Sequence, residues 1–199
     1  MSARARYLLA TTNRDKVREI RGLLADLAIE LVGLDELPPI VPPEETGSTF
    51  AENARLKARY YSIQAGLPAI AEDSGLEVDA LGGIPGVQSA RFCGDHATYP
   101  ERFAELYRRL DAIGTRESTA RFVCHVALAD GDSIVFDARG TVEGCIAREP
   151  RGSNGFGYDP IFFHPASGMT LAEVPPERKA AVSHRSNASR QLAIFLAGS

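Results

Sequence analysis

Arg6 to Thr11 (RYLLAT) is an apolar run of strand length, bounded as a buried strand is. The chain turns polar through Thr12-Asn13-Arg14-Asp15-Lys16, and then Val17, Ile20, Leu24 and Leu27 recur at helical spacing. Thr12 or Asn13 is the expected N-cap. Ile29 to Leu34 reads as a second strand, and the proline-rich stretch Leu37 to Pro43 excludes helix and sets a stiff, extended loop. Thr49-Phe50-Ala51-Glu52 is a capping box that opens a helix running to about Ala65. The short apolar run Leu67 to Ala71 predicts a buried strand that ends at Glu72 and Asp73, with Ser74-Gly75 as the turn after it. Gly82, Gly83, Pro85 and Gly86 predict a tight loop, and Arg91 to Tyr99 is irregular.

The second half begins with an amphipathic helix over Pro100 to Ile113, with Phe103, Leu106, Tyr107, Leu110 and Ile113 on one face. After Gly114 the period becomes two: Phe122, Cys124, Val126 and Leu128 alternate with Arg121, Val123, His125 and Ala127. Asp130-Gly131-Asp132 is a hairpin signal, and Ser133 to Ala138 and Thr141 to Ala147 predict two more strands. Thr170 to Glu173 predicts a short capped turn, Pro175 to Lys179 starts a helix, and a last helix carries Leu192, Phe195 and Leu196. This order predicts an α/β fold, a mixed central sheet with flanking helices, as one domain over residues 1–199 made of two lobes around a cleft.

Composition narrows the classes. The chain has 199 residues, 44% hydrophobic and 24% charged, with a net charge of −4 and no basic tail. That balance argues against duplex DNA or an anionic membrane as partner, but not against a small nucleotide. No apolar run approaches the roughly 20 residues that span a bilayer. The N-terminus lacks the apolar core of a secretory signal, so a cytoplasmic location is expected. Cys93, Cys124 and Cys145 form no CxxC pair, and the four histidines form no HExxH motif. Of 22 cationic residues only Lys16, Lys57 and Lys179 are lysine. A chain that otherwise uses arginine keeps lysine where a compact charge is wanted, as phosphate sites often do.

Four stretches carry candidate chemistry. Two acidic pairs, Glu44-Glu45 and Glu72-Asp73, flank the predicted helix that bears Lys57, and clustered carboxylates suit a hard cation such as Mg2+. The strand–turn–helix at residues 11–16 is a layout in which backbone N–H groups hold a phosphate, with Lys16 in the first turn. It is not a Walker A loop, and an ordinary capped turn shows the same pattern. Residues 150–163 combine glycines with Phe156, Tyr158, Phe162 and Phe163, which suits close backbone approach and stacking on a flat base. A glycine hairpin over core aromatics reads the same way. His184 and Arg185 are adjacent donors able to read the acceptor edge of a base, or a solvated linker between helices. His125, in mid-strand, is assigned to packing.

Together, ATTNRDK (10–16), EETGSTFAENARLKA (44–58), AEDSGLEVDALGGIPGVQSARF (71–92), GFGYDPIFF (155–163) and KAAVSHR (179–185) resemble the inosine/xanthosine triphosphate pyrophosphatases, which remove deaminated purine nucleotides. The resemblance spans essentially the whole chain. It implies an ITPase-like fold with a nucleotide-binding cleft, hydrolysis of ITP, dITP and XTP to monophosphate and pyrophosphate, Mg2+ as cofactor, and a homodimer. It implies that Thr11, Thr12, Asn13, Arg14, Asp15 and Lys16 cradle the triphosphate. Asp73 would bind Mg2+ and act as general base, with Glu44, alone or with Glu45, completing the metal site. Ser74 would touch the substrate, and Phe156, Gly157, Tyr158 and Asp159 would wall the base. Lys179, His184 and Arg185 would contact the nucleotide, the last two near the 6-oxo edge. Lys57 is expected to face the phosphates beside Lys16. Glu72 stands where many members have a second Asp. Two other readings fit a similar scaffold: a pyrophosphatase for pyrimidine or modified-base triphosphates, and a nucleotide-binding regulator without catalysis. Asp73, Glu44 and Lys16 weigh against the second.

Overall fold

The computed structural model describes residues 4–198. The strands are β1 (Ala5–Leu9), β2 (Ile29–Gly33), β3 (Ala69–Val78), β4 (Thr119–Asp130), β5 (Ser133–Ile146), β6 (Phe162–His164) and β7 (Met169–Thr170). The helices are α1 (Arg14–Leu23), α2 (Phe50–Ala65), α3 (Tyr99–Ala112), α4 (Pro176–Val182) and α5 (His184–Ala197). The strands form a mixed sheet in the order β2-β1-β3-β4-β5-β6-β7. β1 pairs in parallel with β2, Tyr7 opposite Leu31, and with β3, Leu8 opposite Ala69. β6 pairs antiparallel with β5 and β7. Among the described residues no helix is long and apolar enough to cross a membrane. The chain divides into two compact units. One holds the chain up to Asp73, Cys124–Gly140 and the segment from His184; the other holds Ser74–Val123 and Thr141–Ser183.

In the first unit the period of two along each strand sorts side chains onto two faces. Leu9, Ile70, Cys124, Val126 and Leu128 pack with Ile20 of α1, its C-cap Leu24, and Leu192 and Leu196 of α5. Leu8, Ala69, Ala71, Ala127 and Ala129 pack with Ala54, Ala58 and Tyr61 of α2. The second face is lined largely by alanine, so α2 lies on a layer one methyl thick. That thin layer lets even a short side chain on α2 reach a strand residue. Thr49 and Glu52 cap α2 reciprocally, as the capping box predicts.

The second unit is built around Leu76, Val78, Phe103, Leu106, Leu110, Phe122 and Phe162. The Phe122 and Phe162 rings meet at 4.6 Å. The irregular stretch before α3 is fixed by buried Arg102, which donates to the carbonyls of Ala90 (2.7 Å), Phe92 (3.0 Å) and Gly94 (3.4 Å).

Two elements depart from the pattern. Ser74-Gly75 is not a turn: β3 runs on to Val78, which places Glu72 and Asp73 in the strand interior. A Cβ at Gly75 would collide with Oγ of Ser89 and the carbonyl of Gly86, and the same Ser89 hydroxyl accepts the N–H of Leu76 at 2.9 Å. Gly75 therefore marks close packing within a strand. Likewise β5 is one strand through Arg139-Gly140, not two. A Cβ at Gly140 would collide with the backbone of His184 and Ala188 on α5. Gly140→Ala is expected to cost about 1–3 kcal/mol, a fall in Tm of about 2–4 °C for each kcal/mol at this chain length. Thermal unfolding checks it, and an unchanged Tm would show that α5 does not depend on that contact.

Candidate active site

Adjacent residues on a strand point to opposite faces, so Glu72 and Asp73 do not form a carboxylate pair. Each belongs to its own cluster, both in the first unit.

Asp73 faces α2. Asn53 and Lys57 stand at i and i+4 on that helix and therefore share its inner face. Lys57 Nζ donates to Asp73 Oδ1 at 3.0 Å and to Glu45 Oε1 at 2.7 Å. Asn53 Nδ2 donates to Asp73 Oδ2 at 3.3 Å, while its Oδ1 accepts the Gly47 N–H at 2.8 Å. Asp73 is 7% exposed and Asn53 1%. One buried ammonium ion thus serves two carboxylates. Burial by itself would lower the Lys57 pKa, but Asp73 and Glu45 together carry it above the ordinary lysine value. Burial raises the Asp73 pKa, and its share of Lys57 offsets this only in part, with Glu45 adding to the rise. The loop pair separates too: Glu45 joins Lys57, while Glu44 is exposed and makes no ion pair among the described residues.

Glu72 faces α1 and α5 and is 3% exposed. Lys16 Nζ lies 2.5 Å from its Oε1. Arg185 grips it with Nε at 3.0 Å and Nη2 at 3.3 Å, and Arg185 Nη1 reaches Glu19 at 2.6 Å. The Cys124 thiol donates to Glu72 Oε2 at 2.9 Å. Burial works against the charge on Glu72, yet Arg185 and Lys16 hold its carboxyl well below the ordinary carboxylate value. Burial and the neighbouring Glu72 push the Cys124 thiol well up, so it remains a protonated donor.

The turn before α1 has the predicted form. Asn13 is the N-cap and accepts from the N–H groups of Asp15 (3.0 Å) and Lys16 (3.2 Å). Its own N–H donates to Thr11 Oγ1 at 3.2 Å. Thr12, Asn13 and Arg14 are exposed, and Asp15 pairs with Arg18 at 2.7 Å.

The third cluster lies in the second unit. Asp159 Oδ2 accepts from Lys179 Nζ at 2.6 Å and from the Phe156 N–H at 2.8 Å. The Lys179 ammonium sits 4.8 Å from the Phe156 ring centroid. A Cβ at Gly155 would collide with Asp159, and Gly155 and Gly157 have φ of 74° and 69°, so the loop needs glycine at both. Phe156 is half-buried. Tyr158 is 3% exposed, its hydroxyl donates to the Ser89 carbonyl at 2.9 Å, and its ring meets Tyr99 edge-on at 5.4 Å.

Of the residues singled out in the sequence, Asp73 and Lys57 come together in one cluster, Lys16 and Arg185 in another, and Phe156, Asp159 and Lys179 in the third. Ser74 follows Asp73 on β3 and is half-buried, and His184, buried, opens α5. Arg185 is bound to two carboxylates, where the sequence suggested a donor to a base edge or a solvated linker. Asn53 was missed. Its signal was the i, i+4 spacing to Lys57, in a register fixed by the capping box.

Among the described residues no three His, Cys, Asp or Glu side chains form a ready-made ion cage. Magnesium takes one or two carboxylates plus substrate phosphates and does not require one. Asp73 and Glu45, both directed at one cation, are a donor set that fits it.

The profile of the Ham1 family matches residues 7–195. A dITP/XTP pyrophosphatase of Geobacillus kaustophilus is 46% identical over 185 residues, 93% of this chain and 91% of that protein. One from Coxiella burnetii is 46% identical over 193 residues, 95% of each. The solved structure of a HAM1 protein from Coxiella burnetii superposes with a TM-score of 0.90 at 44% identity, covering 98% of this chain and all of that one. A nucleoside-triphosphatase, dITP/XTP pyrophosphatase, from Mycobacterium abscessus gives a TM-score of 0.76 at 42% identity, covering 96% and 98%.

Glu72→Gln removes the carboxylate charge and leaves Arg185 and Lys16 without it. The expected loss is about 3–5 kcal/mol, as when one partner of a buried ion pair is removed. Urea unfolding measures it, and a loss below about 1 kcal/mol would place the pair among weak surface contacts.

Proposed function

The chain belongs to the Ham1 family, and we propose that it is the pyrophosphatase of deaminated purine nucleotides, acting as one domain of two lobes. It is a hydrolase that converts dITP, ITP and XTP to the monophosphate and pyrophosphate. Water oxygen bonds to the α-phosphorus, the bond from that phosphorus to the bridging oxygen breaks, and pyrophosphate leaves. The observation that carries the reading is the Asp73–Lys57–Glu45 cluster, in a chain that matches dITP/XTP pyrophosphatases over more than nine-tenths of its length.

Asp73 is the proposed general base. Burial raises its pKa and so strengthens it as a proton acceptor. Lys57 holds one oxygen of its carboxylate and supplies positive charge beside the leaving pyrophosphate. Asp73 and Glu45 would hold Mg2+, which when bound neutralises phosphate charge. The capped turn from Thr11 to Lys16 offers backbone N–H groups to the phosphates. The half-buried Phe156 ring, backed by Lys179 and Asp159, serves as a wall for the base. ATP carries a 6-amino donor where ITP carries a 6-oxo acceptor. Donors from His184, Arg185 and nearby backbone at that edge would leave the amino group facing donors, a mismatch of about 1–3 kcal/mol for each unsatisfied group. A homodimer, on the strength of the family resemblance, and a cytoplasmic location complete the proposal.

Pyrophosphate release with Mg2+ is measured from ITP, XTP, GTP, ATP and dTTP. Release from ITP and XTP is expected to exceed that from ATP, and Asp73→Asn to lower kcat by about a hundredfold or more. Release mainly from dTTP would move the substrate to the pyrimidines, and no release from any would end the enzymatic reading. Lys57→Ala is expected to lower kcat by about a hundredfold; unchanged kcat and KM would remove Lys57 from the reaction.

A further inference from the structure

We infer that Asn53 is a positioning residue: one buried amide fixes both the direction of the Asp73 carboxylate and the loop that carries Glu45. The inference rests on the activity proposed above.

Both ends of the amide are committed. Oδ1 accepts the Gly47 N–H at 2.8 Å, and Nδ2 donates to Asp73 Oδ2 at 3.3 Å. Only this orientation satisfies both partners. A flipped amide would turn oxygen toward a carboxylate and N–H toward N–H. The fit at the loop is close, since a Cβ at Gly47 would lie 2.6 Å from Asn53 Oδ1 and 2.7 Å from Glu52 Cβ. The loop therefore rides on the first turns of α2, whose capping box also ties Ser48 and Thr49 to Glu52. With Lys57 on Oδ1 and Asn53 on Oδ2, each oxygen of Asp73 has its own donor from α2. Lys57 alone would leave the carboxylate free to rotate about its own axis. The amide removes that rotation and, through Gly47, sets the position of Glu45 two residues earlier. One side chain thus holds the two carboxylates in a single arrangement.

Two variants separate the halves of this role. Both Asn53→Ala and Asn53→Asp lack the donor to Asp73; only Asn53→Ala also lacks the acceptor for Gly47. Hydrogen exchange at the Gly47 amide, Tm, and pyrophosphate release from ITP with Mg2+ are measured for each. Both variants are expected to lose about tenfold or more in kcat with a smaller change in KM. Gly47 protection should be lost in Asn53→Ala and kept in Asn53→Asp, although the second carboxylate facing Asp73 lowers the Tm of the latter. Wild-type kcat in either variant would overturn the inference. So would a kcat that falls only where Gly47 protection falls, because the amide would then act on the loop alone. Absence of pyrophosphate release from the unmodified protein would instead sink the activity, and the Gly47 result would still report on the loop.

Discussion

An ionised side chain inside a sheet survives only if its partners are built in with it, because stripping a charge of water costs far more than the fold can absorb. β3 carries two such charges in succession. Their partners must come from both faces of the sheet, and this demand shapes the first unit. α2 brings Lys57 and Asn53 to Asp73, while α1 and α5 bring Lys16 and Arg185 to Glu72. Neither arrangement works unless each helix sits in one register against the strands.

The two faces meet the demand differently. The Glu72 face is closed by large aliphatic residues and by arginine, whose planar fork spans the carboxylate. The charge there is balanced and deeply buried, and its effect is to anchor three elements. The Asp73 face is thin and alanine-lined, and its lysine is divided between two acids. Burial raises the Asp73 pKa and a cation shared between two acids offsets this only in part, while Glu72, one residue away, has a lowered one. Adjacent positions of one strand thus acquire opposite shifts through their surroundings alone.

Much of the fold could be read from period and punctuation. The capping box at Thr49, the apolar helix face after Pro100 and the switch to period two after Gly114 each rest on local chemistry, and each stands in the structure. Ser74-Gly75 misled because the local meaning of that pair is a turn, whereas Ser89, far along the chain, needs the space where a Cβ would be. The candidate site was legible in its residue types and less so in its pairing. Alternation along a strand already separates Glu72 from Asp73 once the strand is known to continue. Nothing local distinguishes Glu44 from Glu45 on a proline-stiffened loop. In the structure Glu45 meets Lys57, and two residues on the Gly47 N–H bonds to Asn53.

The bias toward arginine acquires a physical meaning from these contacts. All three lysines end on carboxylates, at 2.5 Å for Lys16, 2.7 and 3.0 Å for Lys57, and 2.6 Å for Lys179. A compact ammonium ion with freely rotating donors can sit between acids from different elements, or between an acid and an aromatic face, without a required plane. Guanidinium is planar, and Arg185 lays one edge on Glu72 while its other end reaches Glu19. Lysine and arginine are therefore not interchangeable at these sites, although the charge is the same.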